Sequence, residues 1–198
     1  MRHACWVMLL GVGALAGAPL LTAANADDKK DNGKGVSIEF GELKSKTPAD
    51  WKEQEIPEKA RGLGRIYQFS LPKKGEDKDD AELFVFYFKG SGGDAKSNIE
   101  RWKGMFNPPE GKKIDDVAKT TEMKVGDVPV TYFEIEGTYK FKAAPFDPKA
   151  EVTLKPNYKM INVIFDCPKG PYFIRMVGPA KTMDEYKKGF DGWLKAFK

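Results

Sequence analysis

The sequence predicts an α+β fold, in which a mainly antiparallel sheet of about six to seven strands has helices on both faces as an α/β/α sandwich. Short segments that alternate apolar and polar residues recur along the chain and are typical of strands. Short turns join consecutive segments, which favours antiparallel pairing. Some segments, such as 83–88, are apolar on both faces, and a strand of that kind needs cover on both sides of its sheet.

Seven segments fit the strand pattern. In the second of them, Tyr67, Phe69 and Leu71 alternate with polar residues until Pro72 ends the run. The strands are predicted at 36–40, 67–71, 83–88, 117–125, 131–141, 160–165 and 172–177. Turn residues between the fourth and fifth strands, and a short connection between the last two, indicate two hairpins.

Two segments have the periodicity of helices. The first covers 94–106, where Asp94 is placed to cap the helix and a pair of prolines follows its end. The second covers 183–197, where Thr182 and Glu185 fit a capping box, in which each side chain satisfies a free backbone donor. The apolar faces are Ile99, Trp102 and Phe106 in the first helix, and Tyr186, Phe190, Trp193, Leu194 and Phe197 in the second.

Residues 1–26 are predicted to be a secretory signal peptide. A short start that carries Arg2 precedes an uncharged apolar run, and Ala24 and Ala26 form an A-x-A cleavage site. The alternative is a retained membrane anchor, but the run of about 15 residues is shorter than the roughly 20 that a span needs. We therefore expect a periplasmic or extracellular protein, cleaved after Ala26, with a flexible leader over 27–35 and a single domain over 36–198.

Composition then limits the chemistry. Cleavage would remove His3 and Cys5, so the exported chain would contain no histidine and one cysteine, Cys167. This excludes Ser-His-Asp and Cys-His catalysis, and metal sites built on histidines or several thiolates. We expect no cofactor and no metal. The chain carries 33 basic and 29 acidic residues, a surplus too small to indicate binding to nucleic acid.

Three stretches carry a resemblance to a known family. They are R-x-Y-x-F-x-L-P at 65–72, ELFVFYFKGSGGDAKSNIERWKGMF at 82–106 and YFIRMVGPAKTMDEYKKGFDGWL at 172–194. In the order and type of its elements the chain resembles the Mog1/PsbP-like superfamily, and its stretch 92–102 also resembles uncharacterised secreted bacterial proteins. The resemblance implies an antiparallel sheet flanked by helices, in a protein that binds or assembles and is not an enzyme. It transfers no functional residue.

Four residues are candidates for contact with a ligand or partner: Asn98, Arg101, Trp102 and Arg175. Asn98 and Arg101 face one direction on the predicted helix, and a planar guanidinium beside an indole suits an acidic or carbonyl partner. Arg175 lies inside an apolar strand, where a charge needs a partner or a groove. The alternative is structural, with Trp102 in the core and both arginines in ion pairs.

These features favour a non-catalytic binding or assembly protein, which contacts another protein or an envelope component through a sheet face or groove. A second hypothesis is a carboxylate-based hydrolase of an envelope or extracellular polymer. Glu134 and Glu136 point the same way from one strand, although a solvated face with cross-strand ion pairs also explains them. A third hypothesis is a carrier of a small apolar ligand, which needs an enclosed cavity.

The aspartates of the loop 73–80 lack the spacing of a calcium loop and indicate a solvated surface.

Overall fold

The computed structural model describes residues 35–90, 92–143, 147 and 149–198. The predicted signal peptide and all but the last residue of the predicted leader lie outside the described residues. In chain order the strands are β1 (Ser37–Phe40), β2 (Leu43–Lys46), β3 (Lys52–Glu53), β4 (Arg65–Leu71), β5 (Ala81–Tyr87), β6 (Phe106–Asn107), β7 (Ala118–Val125), β8 (Val128–Phe141), β9 (Thr153–Phe165) and β10 (Tyr172–Pro179). The helices are α1 (Glu58–Gly62), α2 (Ala95–Lys103), α3 (Ile114–Val117) and α4 (Ala180–Lys195).

Eight of these strands form one antiparallel sheet in the order β3-β4-β5-β10-β9-β8-β6. The eighth, β7, pairs with the first half of β8, and β6 pairs with the second half. β1 and β2 form a separate hairpin. The predicted fold class is confirmed, and the described residues contribute one strand more to the main sheet than the largest number predicted.

Two hydrophobic cores lie on opposite faces of the sheet. On one face, α4 and the β1–β2 hairpin pack together, and the rings of Phe40 and Phe197 stack with their centroids 4.5 Å apart. On the other face, Trp102 of α2 lies against Phe133 of β8 at 5.7 Å between ring centroids. We call these faces the α4 side and the α2 side. Successive residues of β10 alternate between the two cores, which explains why this strand is apolar on both faces.

All seven predicted strands and both predicted helices are present, but α2 ends earlier than predicted, and α4 both begins and ends earlier. α2 ends at Lys103, and Phe106 pairs with Tyr139 in the sheet instead of continuing the helix. Glycine at position 104 disfavours a longer helix, and the strand pairing satisfies the backbone that follows. No helix within the described ranges is both long and apolar enough to cross a membrane.

The predicted capping box of α4 is wrong. The helix begins at Ala180 after Pro179, so Thr182 already lies inside its first turn. The Thr182 hydroxyl donates to Asp77 Oδ2 at 2.7 Å and does not bond to Glu185. Proline at the start of a helix has a suitable φ but no side-chain acceptor, and Asp77 supplies that acceptor from a distant loop.

Candidate functional site

Arg175 lies in the middle of β10 on the α2 side, with Asn162 of β9 and Phe84 of β5 directly opposite it on the neighbouring strands. Its Nε donates to Asn162 Oδ1 at 3.0 Å, and the side chain is half-buried. Burial lowers the pKa of Arg175, and the positive charges of Arg101 and Arg65 lower it further. The strand arginine therefore has a neutral amide as its partner in place of the ion pair that the structural alternative predicted.

Helix α2 places Asn98 and Arg101 beside this strand. Asp94 caps the helix, since its Oδ1 accepts from the backbone N–H of Ser97 at 2.9 Å. Asn98 is buried, and its Nδ2 donates to two carbonyl oxygens, those of Gly92 and Asp94, each at 2.9 Å. Arg101 is exposed and donates to Asn98 Oδ1 at 2.5 Å. Asn98 thus orients Arg101, and Arg101 alone of the pair is open to a partner.

Trp102 belongs to the core. It is 2% exposed and packs against Phe133, so it fixes α2 on the sheet and does not present a surface to a partner. Its Nε1 has no hydrogen-bond partner among the described residues. The structure therefore brings Arg101 close enough to Arg175 for their charges to interact, and it places Trp102 in the core.

Arg65 is a site residue that sequence reasoning missed. Its guanidinium lies over the Phe84 ring at 4.3 Å and near the Phe86 ring at 5.6 Å, and it donates to Gln68 Oε1 at 2.8 Å. Because Phe84 is the direct cross-strand neighbour of Arg175, this stacking brings Arg65 next to Arg175. We call Arg65, Arg101 and Arg175 the arginine triad.

The positive charge of the triad is largely uncompensated. Every ion pair within 4.0 Å in the described residues uses a lysine, and the side-chain acceptors of the triad there are the amide oxygens of Gln68, Asn98 and Asn162. Glu82 of β5 acts on Arg65 only through its charge at longer range. Loss of solvation raises the pKa of Glu82, and the charge of Arg65 opposes this shift.

Two buried donor atoms of this cluster have no partner in the part of the chain that the structure describes. They are Arg65 Nε and Asn162 Nδ2. Asn162 is 2% exposed, and a buried amide N–H without an acceptor costs free energy. The α2 side therefore collects hydrogen-bond donors and positive charge, an arrangement that matches an acceptor with negative charge.

Glu134 and Glu136 are engaged in ion pairs on the α4 side. Lys187 of α4 lies 3.1 Å from a Glu134 carboxylate oxygen, and Lys159 of β9 lies 3.3 Å from one of Glu136. Lys159 also binds Asp184 of α4. The Lys159–Glu136 pair is a cross-strand ion pair of the kind that the structural alternative predicted, whereas Lys187–Glu134 and Lys159–Asp184 fasten α4 to the sheet. The hydrolase hypothesis loses the free carboxylate pair on which it depended.

The loop 73–80 is attached to the fold through its aspartates. Asp77 Oδ2 accepts from the backbone N–H of Thr182 at 2.9 Å, and Asp79 Oδ2 accepts from the Tyr158 hydroxyl at 2.5 Å. Among the described residues, no group of three or more histidine, cysteine or acidic side chains could hold a metal ion. These aspartates therefore tie the loop to β9 and α4.

A surface cleft of about 460 Å³ lies next to α2 and α3. Its lining includes Lys103, whose Nζ lies 2.7 Å from Asp115 Oδ1 and 3.1 Å from Glu100 Oε1. A lining with three charged side chains differs from the enclosed apolar cavity that the carrier hypothesis requires. The cleft thus gives that hypothesis no support.

Comparisons with known proteins give similarity to solved structures only. No family model matches the chain, and no curated protein matches it. A PsbP from the cyanobacterium Synechocystis is 11% identical with a TM-score of 0.48, and the match covers 94% of this chain and 99% of that one. A Pseudomonas aeruginosa protein of unknown function is 10% identical with a TM-score of 0.43, over 81% of this chain and 94% of that one. A Bacteroides thetaiotaomicron protein is 13% identical with a TM-score of 0.39, over 79% and 44%. At these identities the likeness concerns the fold and not the function.

Proposed function

We propose that the chain is an exported, non-catalytic binding or assembly protein, and that it holds a partner protein on the α2 side of its sheet. One observation carries the proposal. Arg175 is half-buried in the middle of the sheet, and among the described residues its charge is not matched by a carboxylate within ion-pair distance. A charge in such a position costs stability, and a partner that supplies the missing acceptor explains why it is there.

The surroundings of Arg175 support a protein partner. Phe86 and Tyr139 are partly buried and pack against the α2-side core, and Arg101 of α2 is exposed. Arginine and aromatic side chains together are typical of the residues that contribute most to binding at protein interfaces. Support for export comes from the amino-acid pattern of 1–26 alone.

Affinity capture tests the proposal. The full chain is produced in an exporting bacterial host, its mass is checked for loss of residues 1–26, and the purified protein is used to capture partners from the envelope fraction of its source. We expect one protein to be enriched by the wild type and at least about tenfold less by Arg101→Gln, since arginine is enriched among the few interface residues whose loss costs about 2 kcal/mol or more.

The matched control is Arg61→Gln, which removes the same charge from an exposed arginine of α1. This variant should capture as much as the wild type. Equal capture by Arg101→Gln and Arg61→Gln would place the contact elsewhere on the molecule and contradict the proposal.

A further inference from the structure

We propose that the arginine triad is the binding site for an acidic peptide segment of the partner, with at least two carboxylates. This inference rests on the proposed function, because it names the chemistry that the α2 side recognises.

Arginine is rare in this chain and concentrated on this face. The sequence contains five arginines and 28 lysines, and the structure describes four of the arginines. Three of those four form the triad, and the fourth, Arg61, lies on α1. A guanidinium differs from an ammonium in its planar fork, which pairs with a carboxylate through two parallel hydrogen bonds. The concentration of arginine on one face therefore indicates recognition of planar acidic groups, whereas the lysines serve the remaining surface.

Neutral amides hold all three guanidinium groups. Gln68, Asn98 and Asn162 each contribute one oxygen that accepts a single hydrogen bond from one arginine. An amide orients a guanidinium without cancelling its charge, and each guanidinium has five N–H donors in all. Most donors of the triad thus lack a side-chain acceptor among the described residues, and the positive charge of the triad remains available to a ligand.

The unpartnered buried donors are an independent indication of a ligand. Asn162 is almost fully buried, yet its Nδ2 has no acceptor within the described ranges, and the same is true of Arg65 Nε. Arg65 is also held in place by its stacking over Phe84. Both donors lie beside Arg175, and a carboxylate is an acceptor-only group that satisfies such donors without adding a donor of its own.

The spread of the triad favours a peptide over a single small anion. Arg101 projects from α2, whereas Arg65 projects from β4, whose backbone lies two strands and roughly 10 Å from that of β10, so the three guanidinium groups reach this face from three separate elements. The ring of Phe86 and that of Tyr139 border the same face. A chain with two acidic side chains can reach both ends of the triad and cover the aromatic edge, which one phosphate ion cannot do.

Calorimetric titration of the full chain with an octa-glutamate peptide tests the inference, with octa-glutamine and inorganic phosphate as comparison ligands. We expect binding of octa-glutamate and none of octa-glutamine. Arg101→Gln and Arg175→Gln should each weaken binding roughly 10- to 100-fold, as expected for loss of a charge-assisted hydrogen bond. Arg61→Gln should leave the affinity within about twofold, and circular dichroism checks that each variant is folded.

Three results would overturn the inference. They are no binding of octa-glutamate, an equal loss of affinity in Arg61→Gln, and binding of phosphate at the triad without binding of the peptide. Because Arg101 is exposed, its substitution leaves the core intact and keeps the test decisive even if the Arg175 variant unfolds.

The two proposals fail in different ways. If envelope capture depends on Arg101 but octa-glutamate does not bind, the α2 side holds its partner by other contacts, and only the acidic-peptide inference falls. If octa-glutamate binds at the triad but capture is unaffected by Arg101→Gln, the acidic site stands and the proposed partner contact falls.

Discussion

The hydrogen bond from Arg175 to Asn162 fixes the position of the guanidinium but does not neutralise its charge. The amide oxygen of Asn162 accepts a hydrogen bond from Arg175 Nε. The half-buried guanidinium nevertheless loses solvation, and among the described residues no ion pair offsets that cost. Asn162 itself carries a buried donor without a partner in the described residues. At the scale of single residues, the pair is therefore explained better by binding than by stability.

Replacing this pair with apolar residues should stabilise the protein. We expect the double variant Arg175→Met/Asn162→Leu to unfold with a free energy about 1 kcal/mol higher than the wild type, because both uncompensated groups leave the sheet together. Asn162→Leu alone should lower that free energy by about 2 kcal/mol, since Arg175 would lose its acceptor. Urea unfolding measures all three proteins.

Arg101→Met is the comparison for the loss of an exposed arginine, and it should change the free energy of unfolding by less than about 0.5 kcal/mol. A double variant less stable than the wild type would show that the Arg175–Asn162 pair is a structural element and would remove the main energetic argument for a ligand.

The sequence pattern indicates Arg175 as a site residue but does not indicate Arg65 or Asn162. Arg175 is visible because it interrupts an apolar strand. Arg65 is hidden, because strict alternation from Tyr67 would put it on the α4 side, and a bulge between the two residues turns it to face Phe86 on the α2 side. Asn162 becomes a partner only through the register of β9 against β10, which no local pattern specifies.

At the scale of elements, the first turn of α4 is capped from a distant part of the chain. Asp77 Oδ2 accepts from both the backbone N–H and the hydroxyl of Thr182, and Thr182 Oγ1 accepts from the backbone N–H of Lys74 at 3.0 Å. The local pattern at Thr182 and Glu185 predicts a self-contained cap. A partner 105 residues away cannot be read from that pattern, and it replaces the local cap.

Asp77→Ala should destabilise the protein by about 1 kcal/mol, the usual cost of losing a helix cap. Asp77→Asn keeps a side-chain oxygen and should cost less than half as much. Thermal unfolding measures the loss, and hydrogen exchange should rise first at the amides of the first turn of α4, since Thr182 N–H loses its acceptor.

The exposed neighbour Glu76 provides the control for this experiment. Glu76→Ala should leave both the melting temperature and the exchange of α4 unchanged. If Asp77→Ala behaves like Glu76→Ala, the cap contributes nothing to stability and α4 depends on its packing alone.

The elements that the sequence does not predict are short. β2, β3, β6, α1 and α3 contain two to five residues each, too few for a periodic pattern. They depend on distant contacts instead. In β2, for example, the hydroxyl of Ser45 donates to the carbonyl oxygen of Trp193 in α4 at 3.1 Å.

At the scale of the whole molecule, the decisive feature is the insertion of β10 between β5 and β9. Short turns predict the hairpin partners β7–β8 and β9–β10, and both pairings are present. The pairing of β10 with β5 joins parts of the chain that no turn connects. This pairing places Arg175 opposite Phe84 and so builds the candidate site, which is why local patterns could indicate the arginine but not its surroundings.

The loop 73–80 adds a second long-range connection. Asp79 Oδ2 accepts from the Tyr158 hydroxyl and from Lys155 Nζ at 2.8 Å, and both donors belong to β9. Asp80 accepts from the Lys73 backbone N–H and from the Ser70 hydroxyl. These hydrogen bonds lower the pKa of both carboxyls, with the bond from Lys155 as the largest cause for Asp79 and that from Lys73 for Asp80.

The lowered pKa of Asp79 predicts a loss of stability in acid. A carboxyl whose pKa is lower in the folded than in the unfolded chain stabilises the fold above its unfolded value of about 3.9, and this contribution disappears as the pH falls through the folded value. Asp79→Asn removes the titration. The free-energy difference between wild type and Asp79→Asn, measured by urea unfolding, should be constant above about pH 5 and shrink below about pH 4. Glu82 has a raised pKa, so its effect on the pH dependence of the free energy of unfolding has the opposite sign. Glu82 is present in both proteins, and its effect therefore cancels in the difference. A difference that grows as the pH falls would show that the hydrogen bonds from Tyr158 and Lys155 do not stabilise the Asp79 carboxylate.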